Sequence, residues 1–459
     1  MYFFQQTVFI AFKDVEIEQF CSEYNVVLVQ NSERKRRKMN KARLVRPFAL
    51  FAILSMLLTA CGGAAAIPLT PTVLIPPTQT ASPVPTASPE PTVTSTPAPT
   101  ATPNSVVECK LQPYAFTNVG FGLPNPSYKL PSQGDVKTII LFADFSDAPA
   151  TQTPEEVFAL ISPDAEKFYS DLSYGHMNWQ LEPHLTWLRL SKPASYYGEA
   201  IGSYDGHLGF IQEAVKLADA DVDFSTADSV VVMVPPQASA VGYGPAFGAN
   251  EGEGYTADGK TFSNGVTSGA DLLSWGYLWL NHESGHTMGL PDLYSYSYDP
   301  ANYDDQFHFS GGFSLMGYIS GKAPEFFAFE RWQLGWLDDN QIVCQQEGDA
   351  TTTLSAIESN GGIKAVMVPI SNSKMVVVES RRALGYDVQL PKEGALVYVI
   401  DTSIASGEGP LKVYPVTNGD PYRYKSPLAV GESLTVENVT ITVVEATSEG
   451  DTVQVTVTK

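Results

Sequence analysis

Positive charge is scarce in this 459-residue chain, where 28 Lys and Arg stand against 50 Asp and Glu for a formal net charge of −22. Residues 1–60 hold nine of the basic and five of the acidic residues, so the remainder carries 19 against 45, a net −26. So acidic a body argues against nucleic acid as a partner and against electrostatic docking on anionic lipid. Histidine is scarcer still, with six residues, so a pair at a defined spacing carries information. Only four cysteines occur. The apolar run at residues 48–58 is too short to span a bilayer comfortably. Outside one Pro/Thr-rich stretch there is no clear internal repeat, and no EF-hand spacing is present.

What the first hundred residues do contain is a targeting pattern. A basic cluster at 34–46 precedes the apolar run, which ends in Leu58-Thr59-Ala60-Cys61-Gly62. That ending resembles a bacterial lipobox, whose cysteine is lipidated and becomes the mature N-terminus. The other reading is an ordinary secretory signal with a chance cysteine. Met39 gives a conventional short n-region with Lys41, Arg43 and Arg46 as its charges. Residues 39–60 are therefore expected to be the signal peptide and 1–38 a mis-called extension. Residues 61–106 are dominated by Pro, Thr, Ala and Ser, too poor in apolar surface to bury a core. They are expected to form a disordered, extended stalk. The protein is thus expected outside the cytoplasm, attached to the membrane only through Cys61 or released to the medium.

The remaining chain reads as two regions, 107–344 and 345–459. In the first, the β-branched runs at 136–145 and 229–234 read as buried strands, and residues around 177–190 alternate like strands. Thr153-Pro154-Glu155-Glu156 is a capping box with proline at the first helical position. The helix it opens is expected to run, with a break near Pro163, to Gly175. A second helix over 208–218 would place Phe210, Ala214 and Leu217 on one face. Residues 242–269, rich in Gly, Asn, Ser and Thr, read as a long loop, either a rim of a substrate cleft or a plain surface insertion. Leu272 through Leu280 then supply an apolar helix leading into His282. In the second region, short β-rich runs at 365–369, 375–378, 395–400, 439–444 and 453–457 suggest an antiparallel sandwich or barrel. Cys109 and Cys344 lie at either end of the first region, as a disulfide clasp or as two unpaired thiols.

Chemistry concentrates in His282-Glu283-Ser284-Gly285-His286-Thr287-Met288-Gly289-Leu290-Pro291-Asp292. Positions i and i+4 share a helix face, so His282 and His286 can present both imidazoles to one metal ion. Gly289 can end the helix in a left-handed conformation, and Pro291 blocks its continuation. Asp292 then returns a carboxylate toward the same point. Three ligands with an open fourth position describe a catalytic zinc site better than a structural one. Glu283, beside the first ligand, is placed to act as general base. His176, His184, His207 and His308 lack partners at ligand spacing, with His308 next in line should Asp292 not ligate. Asp299, Asp304 and Asp305 offer a calcium reading, although a solvated turn accounts for them better.

About 30 residues after His286 comes Phe313-Ser314-Leu315-Met316-Gly317-Tyr318. This resembles the methionine turn of metzincin peptidases, where the methionine supports the histidines from below. By the same likeness Tyr318 is a candidate for stabilising the oxyanion. His282-Glu283-x-x-His286-x-x-Gly289-x-x-Asp292 resembles the zinc motif of the immune inhibitor A-like secreted bacterial metallopeptidases, which use aspartate as third ligand. Ser173-Tyr174-Gly175, Gln333-Leu334-Gly335-Trp336, Glu379-x-Arg381, Gly385-Tyr386-Asp387 and Leu390-Pro391 extend the likeness over roughly residues 110–400. That family's long propeptide is not evident, and a proline-rich stalk stands in its place.

The resemblance implies an α/β (α+β) zincin-type catalytic domain, with a mixed sheet and an active-site helix, followed by an all-β sandwich-like C-terminal domain. It implies a monomeric zinc endopeptidase acting on protein or peptide substrates. The competing reading is a catalytically inactive, surface-displayed binding protein that keeps the scaffold.

Overall fold

The computed structural model describes residues 105–113 and 118–458. The expected extension, signal peptide and lipidated Cys61 lie outside the described residues, as does the stalk apart from its last two positions. Among the described residues no helix is long and apolar enough to cross a membrane.

The described chain is mixed α/β, with several sheets and mostly strands toward its C-terminus. In order it forms β1 (Gly134–Asp144), α1 (Pro154–Phe158), α2 (Asp164–Leu172), β2 (Met177–Arg189), α3 (Ala194–Ala200) and α4 (Tyr204–Ala218). Next come β3 (Ser229–Met233), β4 (Ala246–Gly248), β5 (Tyr255–Ala257), β6 (Lys260–Phe262), β7 (Asn264–Thr267), α5 (Leu272–Trp275), α6 (Tyr277–Thr287) and α7 (Ala328–Gln333). The strands β8 (Ile342–Cys344), β9 (Gly348–Ser355), β10 (Ala365–Pro369), β11 (Lys374–Arg381) and β12 (Gly394–Asp401) follow. The last four are β13 (Leu411–Tyr414), β14 (Ser433–Val436), β15 (Val439–Thr447) and β16 (Gly450–Val457).

The first sheet has the order β2-β1-β3-β7-β4, parallel except for β4, which runs antiparallel along one edge. Alternation along β1 sends Ile139, Leu141 and Ala143 to one face and Ile140 and Phe142 to the other, so both faces are buried. Helix α4 covers the first face with Phe210, Ile211, Ala214 and Val215. The opposite face packs against Phe168, Tyr169 and Leu172 of α2 and Trp279 and Leu280 of α6.

Three expectations require correction. Leu217 is 44% exposed, because the buried arc of α4 is centred nearer Ile211 and Ala214, leaving Leu217 just past its edge. Residues 242–269 are not a loop, since they contribute β4 and β7 to the central sheet and the hairpin β5–β6. That hairpin turns at Asp258-Gly259, both at positive φ, the pairing that a two-residue turn favours. The apolar helix before His282 is broken at Gly276, whose φ of +54° interrupts it between α5 and α6.

Two further sheets follow, β13-β12-β11-β10-β8 and β14-β15-β16-β9. The named strands within 345–459 all pair antiparallel, and β8, at the end of the first region, joins the larger sheet in parallel with β10. Val366, Val376 and Val397 on one face of the larger sheet share a core with Ile441 and Val453 of the smaller. Its opposite face, with Met367, Val377 and Tyr398, belongs to the same core as α2 and α6. The larger sheet is therefore a buried middle layer.

Charged groups sit in that layer, fully buried. Arg381 Nε lies 2.7 Å from Glu379 and its Nη1 2.8 Å from Asp387, while Arg331 pairs with Glu325. Glu330 accepts hydrogen bonds from Ser314 Oγ at 3.1 Å and from Phe327 N at 2.8 Å. Burial pushes the Glu330 carboxyl up to about 7 against these bonds.

Cys109 and Cys344 form a disulfide across 235 residues, which removes the two-thiol alternative. Closing so long a loop restricts the unfolded chain strongly. Replacing both cysteines with alanine is expected to cost on the order of 3 kcal/mol, seen as a lower urea midpoint. An unchanged midpoint would show that the bridge contributes nothing.

Candidate metal centre

Helix α6 is held at its middle and at its C-terminus. Tyr169 of α2 donates its hydroxyl to the Asn281 carbonyl, and Asn281 Nδ2 donates to the Ala165 carbonyl at 3.0 Å. At the C-terminus Gly289 has a φ of +107°. Its N–H donates to His286 O and that of Leu290 to Gly285 O, both at 2.9 Å, the pattern of a glycine-terminated helix. The carbonyls of Thr287, Met288 and Gly289, which no helical turn can satisfy, accept from Leu130 N, Asn125 Nδ2 and Gly120 N. Chain reversal at Gly289 then brings Asp292 back over the helix, where Leu293 N donates to Met316 O at 2.9 Å.

Three side chains converge as a result. Asp292 Oδ1 lies 3.2 Å from His282 Nε2 and 3.2 Å from His286 Nε2, and the three atoms lie within 4.8 Å of one another. Each imidazole is oriented by its other nitrogen, with His282 Nδ1 2.9 Å from Leu315 O and His286 Nδ1 2.8 Å from Leu290 O. A carbonyl can only accept, so each Nδ1 carries a proton and each Nε2 is the nitrogen turned toward Asp292 Oδ1.

Oδ1 of Asp292 is buried and takes part in no hydrogen bond despite its two close nitrogens. A buried carboxylate oxygen without a hydrogen bond, facing two imidazole nitrogens, is what a bound cation would satisfy. Ligands bound at about 2.0–2.1 Å around a tetrahedral ion stand about 3.3 Å apart, which the two 3.2 Å separations from Asp292 Oδ1 match, within a group that spans 4.8 Å. The donor set fits a divalent ion without choosing among the first-row metals. Among the protein groups alone, burial would raise Asp292, but the two imidazoles overcome it and hold the carboxyl below its usual range. Burial opposes the charged form of His286, but Asp292 outweighs it and raises the imidazole to about 9.

Glu283 lies on the same helix with Oε2 accepting from Ala246 N of edge strand β4 at 2.7 Å. Burial raises its pKa, with His282 and His286 pulling the other way. Met316 is fully buried under α6. A Cβ on Gly285 would stand 2.6 Å from its sulfur, so glycine there permits the close approach. Ser314, at φ +64°, shapes this turn, and its Oγ accepts from Met316 N at 3.1 Å.

The other candidates have partners of their own. Tyr318 stacks in an aromatic cluster with Phe307, 4.0 Å between centroids, and Tyr422, 5.6 Å. His308 pairs with Asp305 at 3.6 Å, and His207 is buried against Thr267 Oγ1 at 3.0 Å, where burial lowers it to about 3. Asp299 caps Ala301 N and Asp304 accepts from Tyr422, so with Asp305 they do not gather into a metal-binding group among the described residues.

Sequence reasoning missed Tyr294, whose ring stacks 6.4 Å from that of His282, and two groups that hold Asp292. Tyr296 donates its hydroxyl to Asp292 Oδ2, and Ser406 Oγ accepts from Asp292 N at 2.9 Å. Four residues separate Tyr296 from Asp292, a legible proximity, whereas Ser406 lies 114 residues away and gives no local signal. No family model matches the chain, and no curated protein matches it.

Proposed function

We propose that the chain is an extracytoplasmic zinc endopeptidase of the immune inhibitor A-like type, built on a zincin-type domain. The observation that carries this reading is the convergence of His282, His286 and Asp292 on one point, with Glu283 on the same helix. A binding role would not require these four together. Bound zinc would supply Lewis acidity, acidifying water and polarising a peptide carbonyl.

The chain's own residues would do the rest. His282, His286 and Asp292 hold the ion. Ala246 N–H fixes Oε2 of Glu283 and leaves Oε1 to take the proton from attacking water. A raised Glu283 pKa suits a group that must first accept that proton and then deliver it to the leaving amine. Strand β4 is the sheet edge beside this base, with its Ala246 N–H held by Glu283 and its Gly248 carbonyl by Asn118. Tyr318 is the tyrosine that the family spacing assigns to the oxyanion. The lipidated Cys61 and the stalk would hold this domain off the membrane, as a monomer.

The test is the metal content of the purified protein, together with cleavage of casein or gelatin before and after chelation. Stoichiometric zinc and chelator-sensitive cleavage, restored by added zinc, are expected. Cleavage that persists without metal would sink the reading, and bound zinc with no cleavage would favour the inactive binding protein.

A further inference from the structure

His282, Glu283 and His286 share one helix, but Asp292 lies in irregular chain that has no ladder of its own to hold it. Its support comes from the turn between β12 and β13. Asp292 N donates to Ser406 Oγ at 2.9 Å, and Gly407 N donates to Asp292 O at 3.1 Å. Tyr296 N donates to Gly407 O at 2.9 Å, while its hydroxyl donates to Asp292 Oδ2 and lies 3.2 Å from Ser406 Oγ. A Cβ on Gly407 would stand 2.3 Å from the Tyr296 ring, so only glycine lets the ring lie against this turn.

We propose that Tyr296 and Ser406 are a positioning pair that fixes Asp292 as a one-oxygen metal ligand, making the C-terminal β region part of the metal centre. This rests on the reading of His282, His286 and Asp292 as a metal site. A carboxylate can bind an ion through one oxygen or both. With Oδ2 accepting from a phenol O–H, Oδ1 is the buried oxygen that takes part in no hydrogen bond and faces the two imidazoles. The same O–H draws charge away from the carboxylate, so an ion there meets less than a full negative charge and keeps more of its Lewis acidity. The Tyr296 side chain is 52% exposed, with one side of its ring against Gly407 and Tyr294 and its hydroxyl held by Asp292.

The experiment uses the full chain with Tyr296→Phe, Ser406→Ala and Ser406→Thr. Zinc affinity is read by competition with a chromophoric chelator, and coordination by the visible absorption of the cobalt(II)-loaded protein. Tyr296→Phe and Ser406→Ala are each expected to weaken zinc binding about tenfold or more, and Ser406→Thr to restore most of the loss. Cobalt absorption of Tyr296→Phe is expected to fall in intensity as the freed Oδ2 joins the ion and raises its coordination number. The unfolding midpoints of the chelator-treated variants are expected to match wild type. A matching drop in those midpoints would make the pair merely structural and overturn the proposal. Wild-type affinity and an unchanged cobalt spectrum in Tyr296→Phe would overturn the pair alone. A wild-type chain that binds neither ion would overturn the metal-site reading with it.

Discussion

Glu283→Gln is expected to bind zinc within about twofold of wild type while casein cleavage falls about 10³-fold or more. The substitution keeps the size of the side chain and an acceptor oxygen for Ala246 N–H, so the group should stay in place. What it loses is the ability to hold a proton between attack on the carbonyl and departure of the amine. Metal binding does not use Glu283, because the ligand atoms belong to His282, His286 and Asp292. The two readouts should therefore separate. Cleavage by Glu283→Gln at the wild-type rate would remove Glu283 from the mechanism. Loss of zinc in the same variant would instead make it a structural residue.

How much of this centre could be read from the sequence follows from distance along the chain. His282, His286 and Asp292 fall within eleven consecutive residues, and helix periodicity followed by a glycine-terminated turn is enough to bring them together. The groups that orient them are of two less legible kinds. Leu315 O, Leu290 O and Ala246 N are backbone atoms, which carry no residue-type signature. Ser406 is a side chain, but it reaches Asp292 only because two sheets and a shared core bring the β12–β13 turn back to α6. The fold divides in the same way. Strands β1, β3, β10 and β12 are dense in β-branched residues and declare themselves. Strands β4 and β7, Ala246-Phe247-Gly248 and Asn264-Gly265-Val266-Thr267, are short and contain glycine, so only pairing with β3 and each other makes them strands. At Gly276 one φ of +54° breaks a helix that hydrophobic spacing alone would continue.

The turn that carries Leu315 and Met316 depends on the buried charges beneath it, and Arg381→Met should expose that dependence. Arg381 neutralises Glu379 and Asp387, donates through Nη1 to Glu325 O at 3.0 Å, and lies over the rings of Phe313 and Phe327. Methionine keeps much of the volume but leaves two fully buried carboxylates without a cation. Breaking a buried pair from one side costs about 3–5 kcal/mol, and a loss in that range is expected from urea unfolding at pH 8. The sign of the pH effect follows from proton binding. Burial already raises Asp387, and without the arginine its folded pKa must rise further. A carboxyl so raised contributes stability below its unfolded pKa and loses it as pH rises through the folded value. The deficit of Arg381→Met should accordingly shrink toward pH 5, where Asp387 can take up a proton. Adding Glu379→Gln and Asp387→Asn should recover part of the loss at pH 8, because neutral amides need no counter-ion. Cleavage should suffer in Arg381→Met even where the chain stays folded. Phe313 and Ser314 begin the turn whose Leu315 carbonyl orients His282, and Ser314 hydrogen-bonds to Glu330 in the same buried layer. A variant equally destabilised at pH 5 and pH 8 would mean that charge is not what Arg381 supplies.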